Sequence, residues 1–181
     1  MAALIPSASA TGSGTMTLAG PSTNSNQTIT IPDTSGSMMV SGNMPAFSAY
    51  QSSAQTLSAT TYTKINFQTE EWDTANCFDS TTNMRFTPNV AGYYQVNGGI
   101  SSATSATGII VNLYKNGSSH RILYFNGFGG FSNSNGGFGS AVVYMNGSTD
   151  YVELYGYFTT GQAVSTGINT AYFQASMVRS A

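Results

Sequence analysis

The sequence is poor in charged side chains. Lys and Arg number 5 and Asp and Glu number 7, so charged residues make up 7% of the 181 residues and the net charge is -2. The five cations are scattered along the chain, at Lys64, Arg85, Lys115, Arg121 and Arg179. A protein that neutralises a phosphate backbone needs Lys and Arg gathered on one face. We therefore expect no nucleic acid among the partners.

The chain also has little cysteine and no long apolar run. Its one cysteine, Cys77, can form neither an intrachain disulfide nor a zinc cluster, and we interpret it as a buried structural thiol. The opening residues 1–6 contain no basic side chain and are shorter than the apolar core of a signal peptide or a membrane span. We therefore expect synthesis in the cytoplasm without a secretory leader, and no membrane insertion.

Hydroxyl and amide side chains are abundant, because Ser, Thr and Asn make up about a third of the chain. Hydrophobic residues account for 40% and aromatic residues for 12%, which is enough to fill a core and argues against disorder. No amphipathic helical pattern of useful length occurs, whereas short alternating runs broken by Gly, Asn and Pro are frequent. The composition therefore predicts an all-β protein.

Aromatic residues divide the sequence into two parts. Residues 1–43 contain none, and their short β-like runs are separated by Pro21 and Pro32. A segment that buries so little does not fold alone, so we predict an extended N-terminal arm over 1–43 and a globular head over 44–181. We expect the arm to be held by partner chains through its apolar side chains, which are Leu4, Ile5, Leu18, Ile29 and Ile31.

The head reads as a succession of short strands, numerous enough for a sandwich of about eight to ten strands. The predicted strands are Ala46 to Tyr50, Thr63 to Phe67, Met84 to Phe86, Gly92 to Ile100, Ile109 to Lys115, Arg121 to Phe125, Gly139 to Met145, Tyr151 to Tyr157 and Ala171 to Val178. Asn-Gly pairs at Asn116 and Asn146 predict hairpin or strand-end turns, because Asn and Gly tolerate positive φ best.

A glycine-rich stretch from Gly127 to Gly139 carries Phe128, Phe131 and Phe138. So much glycine disfavours a strand interior and predicts a long loop. The three rings have two interpretations. They present apolar faces to a sugar or surface protein of a host, as a receptor loop, or they are tucked into the head to hold the loop in place.

An acidic cluster and a single histidine are further candidates for chemistry. Glu70, Glu71 and Asp73 form the one dense acidic cluster, which suits either a calcium site or a solvated polar loop, and its spacing is not that of an EF-hand. His120 is the only histidine, and no Gly-x-Ser-x-Gly motif accompanies it, which favours a surface histidine over a general base. We expect no other metal or cofactor and no enzymatic activity.

Several short patterns appear in the order found in a known family. Pro45 to Ala49, Met84 to Tyr94 and Ala171 to Val178 resemble the opening strand, the Phe-Pro-Gly-Tyr-Tyr segment and the closing strand of the trimeric jelly roll shared by complement C1q and tumour necrosis factor. The resemblance implies a jelly-roll sandwich and a homotrimer. The aromatic side chains expected in its core or at trimer contacts are Phe86, Tyr93, Tyr94, Tyr151, Tyr155, Tyr157 and Phe173.

The arm, in turn, resembles the short β-repeats that precede such heads in bacteriophage fibre and virion accessory proteins. That resemblance implies a non-enzymatic virion protein whose arm binds capsid or tail proteins and whose head is exposed as a knob. The short chain favours a capsid decoration or head fibre. The alternatives are a tail-fibre tip or adhesin that binds a host surface glycan or protein, a free ligand module of the tumour necrosis factor type, and, behind these, a glycan-cleaving enzyme.

Overall fold

The computed structural model describes residues 44–106, 108–126 and 134–181, together with the isolated residues 13, 17, 22, 24, 26, 39, 40 and 42. The chain divides into two compact units, Met1–Gly36 and Ser37–Ala181. The expected arm contacts Leu4, Ile5, Leu18, Ile29 and Ile31 and the loop residues Phe128 and Phe131 lie outside the described residues. The attachment role of residues 1–43 stays a prediction.

Within the described part of the chain, all regular structure is β, and no helix there is long and apolar enough to cross a membrane. The strands are β1 (Ala46–Tyr50), β2 (Gln55–Leu57), β3 (Thr63–Lys64), β4 (Thr69–Asp73), β5 (Phe78–Asp79), β6 (Arg85–Phe86), β7 (Gly92–Ala106), β8 (Ile109–Lys115), β9 (Ser118–Phe125), β10 (Ser134–Met145), β11 (Val152–Phe158), β12 (Gln162–Val164) and β13 (Ala171–Ser180). The all-β prediction is confirmed.

The strands form two antiparallel sheets. In the first sheet β10 pairs with β7, and the order continues through β13 and β1 to β4, while β12 joins the far end of β7 and pairs with β2. In the second sheet the order is β5-β6-β11-β8-β9, and β3 also pairs with β11. The chain thus crosses repeatedly from one sheet to the other, as in a jelly roll, and the predicted fold class is confirmed.

The core lies between the two sheets. It consists of the side chains that point inward, which are every second residue along each strand. Phe47 on β1 is its centre. Its ring stacks on Phe78 at 4.4 Å between centroids and on Phe86 at 4.7 Å, and it meets Phe173 edge-on at 5.2 Å. All four side chains are buried. Offset-stacked and edge-to-face rings are favourable beyond the area that they bury, so this cluster ties β1, β5, β6 and β13 together.

The predicted loop from Gly127 to Gly139 is wrong for its second half, because β10 begins at Ser134. Its glycines are required by close packing rather than by a turn. A Cβ on Gly137 would overlap the Tyr124 ring, and a Cβ on Gly139 would overlap the backbone carbonyl of Leu123. The end of β9 therefore lies directly against β10, which only glycine permits in a strand at this distance.

Both Asn-Gly turns are confirmed as strand connections. Asn116 and Gly117 have φ of 52° and 77°, as a type I′ hairpin between β8 and β9 requires. Asn146 ends β10, and its side-chain oxygen accepts backbone N–H bonds from residues 148–150. The two turns are joined, since Asn116 Nδ2 donates to Asp150 Oδ1 at 2.8 Å and Asn116 Oδ1 accepts from the Tyr151 N–H at 2.9 Å.

Candidate functional site

The aromatic side chains expected in the core or at trimer contacts divide between three places. Phe86, Tyr94 and Phe173 are fully buried in the core. The Tyr94 hydroxyl donates to the Val90 carbonyl at 2.7 Å, and burial raises the pKa of this phenol above its usual range. These three residues therefore stabilise the sandwich and are inaccessible to another subunit.

Tyr151, Tyr155 and Tyr157 lie on the outward side of the second sheet and have partners within the chain. The Arg85 guanidinium lies 4.4 Å from the centre of the Tyr151 ring. Tyr155 stacks on Tyr114 at 3.8 Å, and Tyr157 meets Tyr62 at 5.2 Å. Burial is the main cause of the raised pKa of Tyr155 and of Tyr62, which keeps both phenols neutral.

Tyr93 lies on the outward side of the first sheet, in a surface that we call the aromatic face. Its members lie on this side of the adjacent strands β10, β7 and β13 and, apart from half-buried Tyr172, are each between 40% and 55% exposed; they are Tyr93, Phe138, Val142, Tyr144, Tyr172 and Val178. Tyr93 lies opposite Tyr144 with the ring centroids 5.5 Å apart. Of the three phenylalanines of the predicted receptor loop, the described residues include Phe138, and it belongs to this face.

Gly99 lies in the middle of the aromatic face and lets two of its rings meet. The Phe138 ring stacks on Tyr172 at 5.7 Å with an interplanar angle of 15°. Gly99 lies between the two residues in the sheet, and a Cβ there would overlap the Phe138 ring. The exposed Phe138 ring is thus held flat across β7 instead of extending into solvent.

A polar row crosses the first sheet beside these rings. Ser48 is fully buried, and its Oγ donates to Glu71 Oε2 at 2.6 Å while it accepts from Gln174 Nε2 at 3.0 Å. The hydrogen bond to Ser48 places Glu71 on this side, and strand register places Arg179 there opposite Tyr93. Aromatic rings with few charges are typical of the centre of a protein interface, and exposed apolar patches mark interaction sites.

The acidic cluster is not a polar loop, because Glu70, Glu71 and Asp73 lie on β4. Their carboxylates have separate partners. Glu70 accepts from Ser80 Oγ at 2.5 Å, Glu71 accepts from Ser48, and Asp73 accepts the Ala75 and Phe78 N–H groups at 3.1 and 2.7 Å. Among the described residues no three Asp, Glu, His or Cys side chains are placed to hold a metal. The structure therefore gives the calcium interpretation no support.

A polar cleft of about 520 Å³ opens where β4 faces β5, β6 and the turn between them. Glu70, Asn76, Asn83, Arg85 and Thr87 contribute to its lining. Cys77 and Phe78 are buried at its base, and burial raises the pKa of the Cys77 thiol, as expected for a structural cysteine. Sequence reasoning missed this cleft because its walls come from strands whose pairing no local pattern predicts.

Asp79 organises the turn that forms one wall of the cleft. Its Oδ1 accepts the backbone N–H groups of Thr81 and Thr82, and its Oδ2 accepts the backbone N–H and the Nδ2 of Asn83, at 2.7 to 3.1 Å. These donors hold the pKa of Asp79 far below its usual range. Both oxygens of the carboxylate thus accept hydrogen bonds that fix the turn.

His120 lies exposed on β9, where the surface-histidine interpretation placed it. Partial desolvation, followed by the nearby cations Lys115 and Arg121, lowers its pKa. The second sheet carries instead a charged pair that sequence reasoning missed. Buried Glu153 lies 3.2 Å from Lys64 Nζ, which also donates to the Asn83 carbonyl at 2.9 Å. The alternation of Tyr151, Glu153 and Tyr155 was the available signal for their common side.

Comparison with known proteins bears on the fold. No protein-family model and no curated protein matches the sequence. Among solved structures, murine APRIL has a TM-score of 0.55 and 9% identity, over 75% of this chain and 99% of its own. Eiger TNF from S. frugiperda has a TM-score of 0.55 and 11% identity, over 76% and 93%. The globular domain of zebrafish complement 1qA has 0.53 and 18%, over 76% and 98%. The predicted C1q/TNF-like resemblance is confirmed at the level of the fold.

Proposed function

From this C1q/TNF-like jelly roll we propose that the chain is a non-enzymatic, homotrimeric structural protein of a bacteriophage virion. Its head, residues 44–181, is exposed as a knob, and its arm, residues 1–43, attaches the trimer to the particle. Within the virion we favour a capsid decoration or head fibre, because the chain is short. Binding is then multivalent, because three arms fixed to one trimer act at a high effective concentration.

The observation that carries the trimer is the aromatic face. Six large side chains lie on one side of the first sheet, and Tyr93, Val142 and Tyr144 are among those left about half exposed. Burying such a surface against a second copy gains roughly 25 cal/mol for each Å² of apolar area removed from water. A closed ring of three copies buries the face on every subunit and leaves none for further growth.

The virion assignment is supported by the resemblance of the arm to the repeats that precede such heads in phage fibre and accessory proteins. The low charge of the chain is compatible with this role, since charged residues are depleted at interface cores. In this arrangement the arm supplies the contacts to capsid or tail proteins, and the head supplies the surface presented to the surroundings.

Two measurements test the proposal. Native mass spectrometry of the purified full chain should give three times the 18.9 kDa monomer mass. Cryo-electron microscopy of the particle that carries the protein should show knobs with threefold symmetry on the capsid lattice. A monomer under native conditions overturns the trimer, and absence of the protein from every particle overturns the virion role.

Two alternatives predict different densities and activities. Knobs at the tail would make the protein a tail-fibre tip or adhesin that binds a host surface glycan or protein. A trimer found free of any particle would favour a ligand of the tumour necrosis factor type, a role compatible with the same fold. Release of reducing sugar from host envelope by the intact protein would contradict the non-enzymatic assignment.

A further inference from the structure

The polar cleft defined above has a set of hydrogen-bonding groups that the fold itself does not use. Among the described residues the Arg85 guanidinium has no carboxylate within 4.0 Å and no hydrogen bond, and its carbon lies 4.4 Å from the centre of the Tyr151 ring. A guanidinium offers five N–H donors in a fixed plane. The Tyr151 ring thus positions the Arg85 guanidinium, whereas its N–H donors have no acceptor among the described residues.

An acceptor faces this donor across the same cleft. Glu70 Oε1 accepts from Ser80 Oγ, and no residue of the described part donates to its Oε2. Asn83 uses its Nδ2 on Asp79 and keeps its Oδ1 without a donor in the same part of the chain. Glu70, Asn83 and Arg85 therefore present two acceptors and one large donor to a single volume of about 520 Å³.

The walls that carry these groups are fixed in advance. The Asp79 carboxylate holds the turn at residues 81–83 through four bonds to N–H groups, and the Thr87 N–H donates to the Cys77 carbonyl at 2.8 Å. The Glu70–Ser80 bond ties the β4 side to the β5 side. Binding of a ligand therefore costs little free energy for ordering the site. Under this condition a few polar contacts give specific binding.

The charges of the cleft select the chemical class of the ligand. A polyanion would meet one guanidinium and two carboxylates, Glu70 and Asp79, and a divalent cation would meet Arg85 while Asp79 is already saturated. An apolar ligand would leave the lining amides, hydroxyls and charges unsatisfied, which is costly. A hydroxyl group donates to a carboxylate and accepts from a guanidinium, so it suits both partners.

We propose that this cleft binds a neutral saccharide residue, with sugar hydroxyls donating to Glu70 and Asn83 and accepting from Arg85. Its volume lies within the range of about 300–1,000 Å³ that small-molecule sites occupy. The site is built from a single chain and goes beyond the proposed function, because it requires neither a trimer nor a virion. It is also separate from the aromatic face, since Glu70 and Glu71 point to opposite sides of β4.

The test uses the full chain and saturation-transfer NMR with the methyl glycosides of glucose, galactose, mannose and N-acetylglucosamine, and with N-acetylneuraminic acid as the acidic comparison. We expect saturable transfer to at least one neutral sugar. Glu70→Gln and Arg85→Gln should each weaken that binding at least about tenfold, because charge-assisted hydrogen bonds are lost. The matched controls Glu71→Gln and Arg121→Gln, outside the cleft, should bind as the unmodified protein does.

Three results overturn the proposal: no saturable transfer from any neutral sugar, preference for N-acetylneuraminic acid, or equal weakening by Glu71→Gln and Glu70→Gln. Arg85→Gln also removes the cation from the Tyr151 ring. If it lowers the melting temperature, near-isosteric Glu70→Gln and Thr87→Val decide instead. Sugar binding by a protein that is monomeric in native mass spectrometry supports the cleft while contradicting the trimer, so the two proposals fail separately.

Discussion

The outward sides of the two sheets use similar side chains in opposite ways. On the second sheet the tyrosines are paired with one another or with Arg85, and Lys64 neutralises Glu153. Exposed Ile122 and Phe125 lie on its edge strand β9. On the first sheet the exposed rings and branched side chains extend across the sheet with few charges beside them. The rings of the first sheet also contact one another, Tyr93 with Tyr144 and Phe138 with Tyr172, yet Tyr93, Phe138 and Tyr144 stay 40% to 43% exposed. We therefore place the proposed subunit interface on this side.

The largest expected effect is on self-association, when a charged side chain is introduced on the outward side of one sheet or of the other. Val142 and Ile122 are exposed to 53% and 50% and lie on the first and second sheet respectively. Val142→Glu should abolish self-association, because an unpaired carboxylate at a buried interface is strongly unfavourable. Ile122→Glu should leave the trimer intact. Light scattering after size exclusion measures both masses, and thermal melting checks that both variants fold.

An unchanged trimer for Val142→Glu would show that the aromatic face is not the subunit interface. Dissociation by Ile122→Glu alone would show that the subunit interface lies on the second sheet and not on the first.

A smaller effect is expected when the aromatic face is distorted without adding charge. Gly99→Ala should displace the Phe138 ring from Tyr172 and shift the β10 backbone, because the new Cβ overlaps that ring and the Gly137 carbonyl, and should cost about 1–3 kcal/mol in stability or association. Gly161→Ala is the matched control, since its Cβ would make only ordinary contacts, and it should change stability by less than about 0.5 kcal/mol. Chemical denaturation measures both. Equal values would mean that the close packing of β7 against β10 at Gly99 does not limit stability.

On the second sheet, removing the charged pair should cost less. Glu153→Gln should destabilise the fold by about 1–2 kcal/mol, below the cost of breaking a fully buried ion pair, because the Lys64 side chain is 31% exposed. Lys64→Gln and the double variant complete a mutant cycle. Strict additivity of the two single effects would show that the two groups do not interact.

The smallest effect is the dependence on acid. Hydrogen bonds from the 81–83 turn lower the pKa of Asp79, and those from Asn116 and Lys115 lower the pKa of Asp150. A carboxyl whose pKa is lower in the folded state stabilises the fold above its unfolded pKa, about 3.9, and that contribution is lost as pH falls through the folded value. Both groups are only partly buried and solvent screens their charges, so we expect no more than about 1 kcal/mol from each.

The melting temperature measured between pH 6 and pH 2 checks this expectation with Asp79→Asn. The variant should melt below the unmodified protein at pH 6, and the difference should shrink toward pH 2. A constant difference would assign the effect to altered hydrogen-bond geometry instead of charge.

Much of the fold followed from local pattern. β1 and β8 have the predicted ends because each is a short run rich in apolar residues that turn or breaker residues bound, with Pro45 before β1 and Gly108 and Asn116 around β8. β4 was missed because Thr69 to Asp73 has no apolar alternation, and its place is set by pairing with β1 at the edge of the sheet. The glycines of β10 concealed a strand because their reason is the neighbouring β9.

The site was less predictable from the sequence, because strand register decides on which side of a sheet each side chain lies. Tyr93 and Tyr94 are adjacent, yet one lies on the aromatic face and the other in the core, because successive side chains point to opposite sides of a strand. Sequence alone gave no means to choose between them. Arg85 gained its role only through Tyr151, which is distant in sequence and adjacent in the sheet.

The joined Asn-Gly turns have a consequence for chemical durability. Asn followed by Gly is the pair most prone to deamidation, in which the next backbone nitrogen attacks the side-chain amide carbon and ammonia leaves. Asn116 is held by Asp150 on one side and by the Tyr151 N–H on the other, and Asn146 is held by the backbone of residues 148–150. The hydrogen bonds that shape these two connections also restrain the side-chain amides of Asn116 and Asn146, and we expect them to slow deamidation at these two of the five Asn-Gly pairs in the sequence.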